Sequence, residues 1–354
     1  MKIDNKYFIS PIPMNGHDLL KNLTKKLSSK GYKILCRKQE LSINNLLEKK
    51  KFFSAIKEFI KRIFWKIYFY LIISTRKNSR IIFAWPQIVG FELILKASKK
   101  NKVILYIMDN SFFCIRSYNV HPVTNKECLK CLKFLKPHKL CFSFPKKYEK
   151  SKNVKNLESL KNSTDQFIFY SKNKLQKTLL KRHFGNNINV KLVGMNIGEI
   201  KKIEKFKKNK NHNYDIVFHG HSIIAKGLLY VIKLAKYLPD QTFLIPDTKE
   251  NVLKTVGEKN ILSNNIKFIK MEWDSGLREA VKSARLVINP SIWSAPIEAA
   301  LIKSAAFNQN VATVKSIYGF EKEFKLIKNH LRLSTEISIA AKQIKFFFNK
   351  NKQS

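Results

Sequence analysis

The stretch "ARLVINPSIWSAPIEAALIKSAAFNQNVAT" (284–313) decides how the rest of the chain is read. LVIN (286–289) is a short apolar run that stops at Pro290–Ser291, a helical pattern follows near 296–306, and an apolar run resumes at 311–313. Strand, turn, helix and strand in that order make a βαβ unit, which implies a parallel sheet. Ser294 reads as a helix cap, with Ala295 and Pro296 in the first turn, where a missing N–H costs nothing. A helix rising from the carboxyl end of a parallel strand points N–H groups and partial positive charge at whatever sits there, which suits a phosphate. Glu298 stands just inside that opening.

The same alternation runs outward in both directions. Strands are expected near 6–10, 32–36, 80–84, 103–108, 167–170, 190–193, 215–219, 242–245 and 266–269. Helices are expected near 17–29, 50–70, 88–99, 173–183, 227–237, 248–256, 275–284 and 335–349. The Lys-rich segment 199–215 has no long apolar run and marks a junction. The expected organisation is an acceptor-side Rossmann-like domain over 1–198, a donor-side one over 199–334, and a C-terminal helix and tail over 335–354. Ligands of such doubly wound sheets sit at the strands' carboxyl ends.

Composition narrows the function. The chain has 354 residues and a formal net charge of +43, yet only nine of its 68 basic residues are arginine. Base readers favour Arg for bidentate and stacking contacts, and no finger, RNP or helix-turn-helix pattern is present. The charge therefore suits an anionic surface, such as a lipid headgroup layer, and no specific nucleic acid is expected. Over 49–73, Phe52, Phe53, Ile56, Phe59, Ile60, Ile63, Phe64 and Ile67 recur at helical spacing, with Lys57, Lys61, Arg62 and Lys66 beside or opposite them. Such a helix fits a membrane interface, and equally a core-facing stripe with solvated lysines. Its nine-residue apolar run, IYFYLIIST (67–75), is too short to span a bilayer. The opening MKIDNKYFISPIP lacks the apolar core of a secretory signal, and five cysteines suit a reducing compartment, so a cytoplasmic location is expected.

Two further strand–turn–helix pieces carry chemistry. In "DIVFHGHSIIAKGLLYVIKLAKYLP" (215–239), Gly220 and Gly227 bracket a loop holding His221 and Ser222, and Lys226 stands at the helix entry, placed to reach a diphosphate. In "SPIPMNGHDLLKNLTKKLSSKGYKI" (10–34), Asn15–Gly16 permits close backbone approach to a ligand, and His17 and Asp18 occupy the helix start. An ordinary surface lysine and an ordinary turn are the plain alternatives. Cys114, Cys128, Cys131 and Cys141 contain one CxxC, with flanking gaps of thirteen and nine residues. They are a weak zinc candidate beside the reading as reduced cysteines in a loop.

Taken together, "VILYIMDNSFFC" (103–114), "GHSIIAKGLLYVIKLAKYLP" (220–239), "NNIKFI" (264–269), "ARLVINPSIW" (284–293), Asn15–Gly16 and GYKI (31–34) resemble a GT-B glycosyltransferase of family four. That resemblance implies two Rossmann-like doubly wound domains facing a cleft, and retaining transfer of a sugar from a nucleotide-sugar donor (UDP- or GDP-linked) to a glycan or lipid-linked acceptor. It also implies a role in bacterial surface polysaccharide synthesis at the inner face of the cytoplasmic membrane, with no metal and no further cofactor required. By the resemblance, Lys226 touches the donor diphosphate, the turn at 290–298 supplies amides to it with Ser291 and Ser294, and Asp109 or His17 orients or deprotonates the acceptor.

The departures from the family lie at functional positions. His221 stands where Arg is usual, and Ala295 and Lys303 occupy the places of two glutamates separated by seven residues. Asn308 replaces a glycine, and Met108–Asp109 replaces a His–Asp pair. Glu298 is the carboxylate left nearby, placed for a sugar or ribose contact. Pro246–Asp247 and Met271–Trp273 are where base and sugar selectivity are expected. The alternative reading is a catalytically weakened GT-B-like protein that binds a partner or an anionic polymer.

Overall fold

A computed structural model describes residues 5–11, 18–36, 43–48, 50–145, 148–194, 213–258 and 262–350. The chain forms two compact units, one of residues 1–117 and 130–199, the other of residues 118–129 and 200–354. Residues 118–129, which the sequence assigns to the first domain, therefore pack with the second.

The first unit holds β1 (Asn5–Ser10), β2 (Lys33–Cys36), β3 (Ser79–Ala84), β4 (Lys102–Tyr106), β5 (Phe167–Ser171) and β6 (Val190–Leu192). They form a sheet in the order β2-β1-β3-β4-β5-β6, and every pairing is parallel. The second unit holds β7 (Ile216–Phe218), β8 (Phe243–Ile245), β9 (Ile266–Phe268), β10 (Leu286–Asn289), β11 (Asn310–Val314) and β12 (Asn329–Leu333). Its sheet is also parallel, in the order β12-β11-β10-β7-β8-β9. The order reverses direction between β10 and β7, and a doubly wound sheet binds ligands at such a switch point.

β7 and β8 are apolar throughout, and β10 is apolar up to Asn289, because helices cover both faces. Ile216, Phe218, Leu286 and Ile288 join one core with α8 (Leu228–Lys236) and α12 (Ile337–Lys350). Val217, Leu244 and Val287 point the other way, onto α10 (Leu277–Ser283). Strand periodicity of two thus assigns alternate residues to opposite cores.

Both units are doubly wound Rossmann-like domains as expected, and the elements depart from expectation in five places. Gly90, at φ 110°, separates two helices, α4 (Pro86–Val89) and α5 (Phe91–Ser98), where one was expected. Between α1 (Asp18–Ser28) and β3, the short helix α2 (Ile43–Glu48) precedes α3 (Phe52–Thr75). The lysine-rich α6 (Lys150–Asn162) buries Asn153, Leu157 and Leu160, and α7 (Lys174–Phe184) follows β5. In the second unit, α9 (Lys249–Val256) matches expectation, β12 was not expected, and α11 starts at Ala299 and runs to Phe307. Asn308 closes α11: its amide donates to Val281 and Ala284 carbonyls, each at 2.8 Å, and its Oδ1 accepts from the Asn310 N–H.

Helix α3 leaves its Phe and Ile stripe exposed instead of facing it to the core. Ala55, Glu58, Ile72 and Ile73 are buried, whereas Phe53 is 91% exposed, Phe64 68% and Ile56, Phe59 and Ile67 each more than half. Among the described residues no helix is long and apolar enough to cross a membrane.

Among the described glycines, Gly227 lies closest to another stretch of backbone. It has φ +83°, and a Cβ there would lie 2.1 Å from the Pro290 carbonyl oxygen. Gly227→Ala is expected to lower unfolding stability by about 3 kcal/mol or more, combining a left-handed side chain with a backbone clash. Gly31 also has positive φ but has nothing within 4 Å of the same position, so Gly31→Ala should lose only about 1 to 2 kcal/mol. Urea unfolding of the two variants checks the difference.

Candidate functional site

The switch point of the second unit is built by three short contacts. The His219 N–H donates to the Ile288 carbonyl at 3.0 Å, and Asn289 Nδ2 donates back to the His219 carbonyl at 2.6 Å. The Ile292 N–H donates to the Ala225 carbonyl at 3.1 Å. The loops leaving β7 and β10 therefore lie against each other, with Gly227 and Pro290 at the crossing.

Lys226 emerges at that crossing. Its ammonium pairs with Glu298 Oε1, and the two side chains are 17% and 9% exposed. Ser291 Oγ donates to the same carboxylate oxygen at 2.6 Å. The Lys226 Nζ also lies 5.1 Å from the centroid of the Trp293 ring, within cation–π range. Glu298 occupies the N-cap position of α11 in extended conformation, and its side chain makes no cap bond. The cap expected at Ser294 thus lies four residues before the N-cap of the helix that forms.

Ser294 is engaged elsewhere. Its hydroxyl donates to Glu127, and its N–H donates to Asn119 Oδ1 at 3.1 Å. Asn119 Nδ2 donates to the Ser294 hydroxyl at 2.9 Å. Glu127 also accepts the Ile317 N–H at 2.6 Å and the Tyr318 N–H at 3.4 Å. Tyr118 meets Trp293 edge-on at 4.6 Å, and Val120 packs with Ala225, Trp293 and Ala295. Residues 118–129 thereby brace the turn that follows β10. Nothing in the sequence signals this, because Asn119 and Ser294 are separated by 175 positions.

Beside the crossing, the His219 ring stacks on Trp273 at 5.2 Å and shares a 2.8 Å hydrogen bond between Nδ1 and Ser304 Oγ. Lys303 Nζ lies 4.9 Å from the same Trp273 ring. Burial, then the charges of Lys303 and His221, hold the His219 imidazole down to about 3. Gly220 sits under the Phe218 ring, and His221 is exposed. Burial pushes Asp247 upward, but hydrogen bonds from Asn251, Ser222 and Thr248 and the charge of Lys270 outweigh it and hold the carboxyl low.

In the first unit, Asp109 follows β4 and is 8% exposed. Gln87 Nε2 donates to its Oδ2 at 2.5 Å, and the Ser111 N–H donates to its Oδ1 at 2.9 Å. Desolvation raises its pKa against the opposing effects of Ser111, Lys172 and Gln87. Asn15, Gly16 and His17 lie outside the described residues. Among the described residues no group of three His, Cys, Asp or Glu side chains is placed to hold a metal ion. Cys128 packs with the second unit, while Cys114, Cys131 and Cys141 belong to the first, and all are thiols.

No family profile matches the sequence, and no curated protein matches it. Solved structures do. HepE from Anabaena in complex with UDP-glucose superposes with a TM-score of 0.58 at 13% identity, covering 98% of this chain and 90% of that one. The same protein with UDP and glucose gives 0.55 at 14% identity over the same shares. TarM from S. aureus gives 0.48 at 14% identity, and the match spans 80% of this chain but only 51% of TarM. The fold is therefore GT-B in both units, and the crossing of the β7 and β10 loops is its candidate ligand site.

The buried histidines carry a pH signature. His219 and His183 are held at about 3 and His330 at about 4, in each case by burial first. These groups stay neutral in the fold and take up a proton near pH 6.5 when unfolded. Their contribution is complete above pH 6.5 and is lost as pH falls from there toward 3. His219 alone should remove about 1.4 kcal/mol per pH unit across that window. Urea unfolding between pH 7 and 5 should show the decline, and His219→Asn should make it shallower by about 1.4 kcal/mol per pH unit, leaving the shares of His183 and His330.

Proposed function

We propose that the chain is a nucleotide-sugar-dependent glycosyltransferase of the family-four, retaining type. The observation that carries this is a half-buried lysine, Lys226, beside Ser291 at the switch point of a GT-B fold. In this reading the sugar's anomeric carbon separates from the donor diphosphate and bonds to an acceptor hydroxyl. The hydroxyl's proton passes to the leaving phosphate or to a carboxylate. Lys226, helped by Ser222 and by Ser291 on the facing turn, stabilises the charge that builds on the diphosphate, while Ser294 stays tied to Asn119 and Glu127. Asp109 is assigned to the acceptor hydroxyl, its burial-raised pKa suiting a proton acceptor. The domain roles follow, with the acceptor over 1–198 and the donor over 199–334. The donor is a UDP- or GDP-sugar. HepE binds UDP-glucose, and the shared fold supports the first of these.

The outward Phe and Ile face of α3, among flanking lysines, supports peripheral attachment to an anionic membrane, where a lipid-linked glycan acceptor of a bacterial surface polysaccharide would be presented. The alternative is a weakened GT-B-like protein that binds a partner or an anionic polymer, favoured by the pairing of Lys226 with Glu298.

Two measurements test the reading. A thermal-shift screen with UDP-, GDP-, ADP- and CMP-sugars should raise the melting temperature for one nucleotide class, and Lys226→Ala should abolish the shift. No shift with any donor favours the alternative. Sedimentation with phosphatidylglycerol vesicles should carry the protein down, phosphatidylcholine vesicles should not, and Phe53→Glu with Phe64→Glu should leave it in the supernatant.

A further inference from the structure

Lys226 is already paired before any ligand arrives, and the way it is paired is informative. Each partner has a second anchor. Glu298 is held by Ser291 Oγ at 2.6 Å, and its place at the N-terminus of the nine-residue α11 favours a negative charge with or without the lysine. Lys226 lies 5.1 Å from the Trp293 ring centroid, which keeps its ammonium at the crossing when the carboxylate leaves. Opening a half-buried ion pair ordinarily strands a charge and is strongly unfavourable. Here neither charge is stranded, so an incoming anion can take the lysine while the glutamate keeps its hydroxyl partner.

We propose that Glu298 is a displaceable counterion: it holds Lys226 at the β7–β10 crossing and yields it to a diphosphate. The inference rests on the reading of this crossing as the donor site and assigns Glu298 a positioning role in place of a sugar contact. The pair keeps a buried cation neutralised in the unliganded protein, fixes the ammonium where the phosphates arrive, and lowers affinity by the free energy of opening it. A dianion outcompetes the carboxylate because it brings more charge and more acceptor oxygens to the same ammonium.

The test is titration calorimetry with inorganic pyrophosphate and with UDP-glucose on wild type, Glu298→Gln, Ser291→Ala and Lys226→Ala, each first confirmed folded by thermal unfolding. Glu298→Gln keeps the volume and removes the competing charge, so pyrophosphate should bind about tenfold more tightly. The gain should vanish when Lys226→Ala is combined with it. Ser291→Ala strands the displaced glutamate, so it should weaken binding more in the wild-type background than beside Glu298→Gln.

Weaker binding by Glu298→Gln would overturn the proposal, because the carboxylate would then contact the ligand directly. A gain that survives without Lys226 would overturn it too, as a general charge effect. Pyrophosphate binding that tightens as expected without any UDP-glucose binding would keep the counterion and remove UDP-glucose as the donor. Equal UDP-glucose binding by wild type and Glu298→Gln would keep the donor site and remove the counterion.

Discussion

The second unit depends on how closely two loops pass. The Gly227 backbone lies so near the Pro290 carbonyl that no side chain fits between them. That contact sets Lys226 opposite the turn that carries Ser291, Trp293 and Glu298, and every polar contact at the crossing follows from it. Parallel pairing of β7 with β10 brings the two loops to one edge of the sheet, and the glycine lets them meet. Sheet topology gives the position, and a missing methylene gives the distance.

Most of the fold was legible because parallel strands covered on both faces are written as short apolar runs between helical patterns. LVIN, DIVF and VILY could be recognised without knowing their partners. What escaped had a common cause. β12, NHLRL, is an edge strand pairing only with β11, and its side chains are mostly half-exposed, so its composition carries little strand signal. α6 is so rich in lysine that two buried leucines hardly register. At the site, Lys226 and Glu298 were legible as individual candidates, but their pairing was not, since 72 positions separate them. Ser294 looked like a cap because its type and spacing fit one. Asn119 and Glu127 hold it instead, and the helix begins beyond it.

Residues 118–129 show how a crossover can serve a unit it does not belong to by sequence order. A single carboxylate, Glu127, gathers a serine hydroxyl from the turn after β10 and two backbone N–H groups from the loop after β11. Backbone N–H groups that point at a common spot are strong anion receptors, and here the chain supplies its own anion. The loops after β10 and β11 are thus joined through a third segment. Their relative position is fixed more firmly than two short loops could manage by themselves.

The same pattern recurs among the other acidic groups. Of 25 acidic residues in a chain with net charge +43, several are internal ties: Asp215 on Arg285, Glu321 on Ser316, Asp109 on Gln87 and Ser111, and Glu127 and Glu298 at the crossing. Lysines, by contrast, mostly line the surface with few opposite charges to answer them. Tolerance to substitution is therefore lopsided. Exchanging one exposed lysine removes a small share of a diffuse field, whereas exchanging one of these carboxylates leaves donors buried and unmatched. In this chain the scarcer charge carries the architecture, and the abundant one is free to vary.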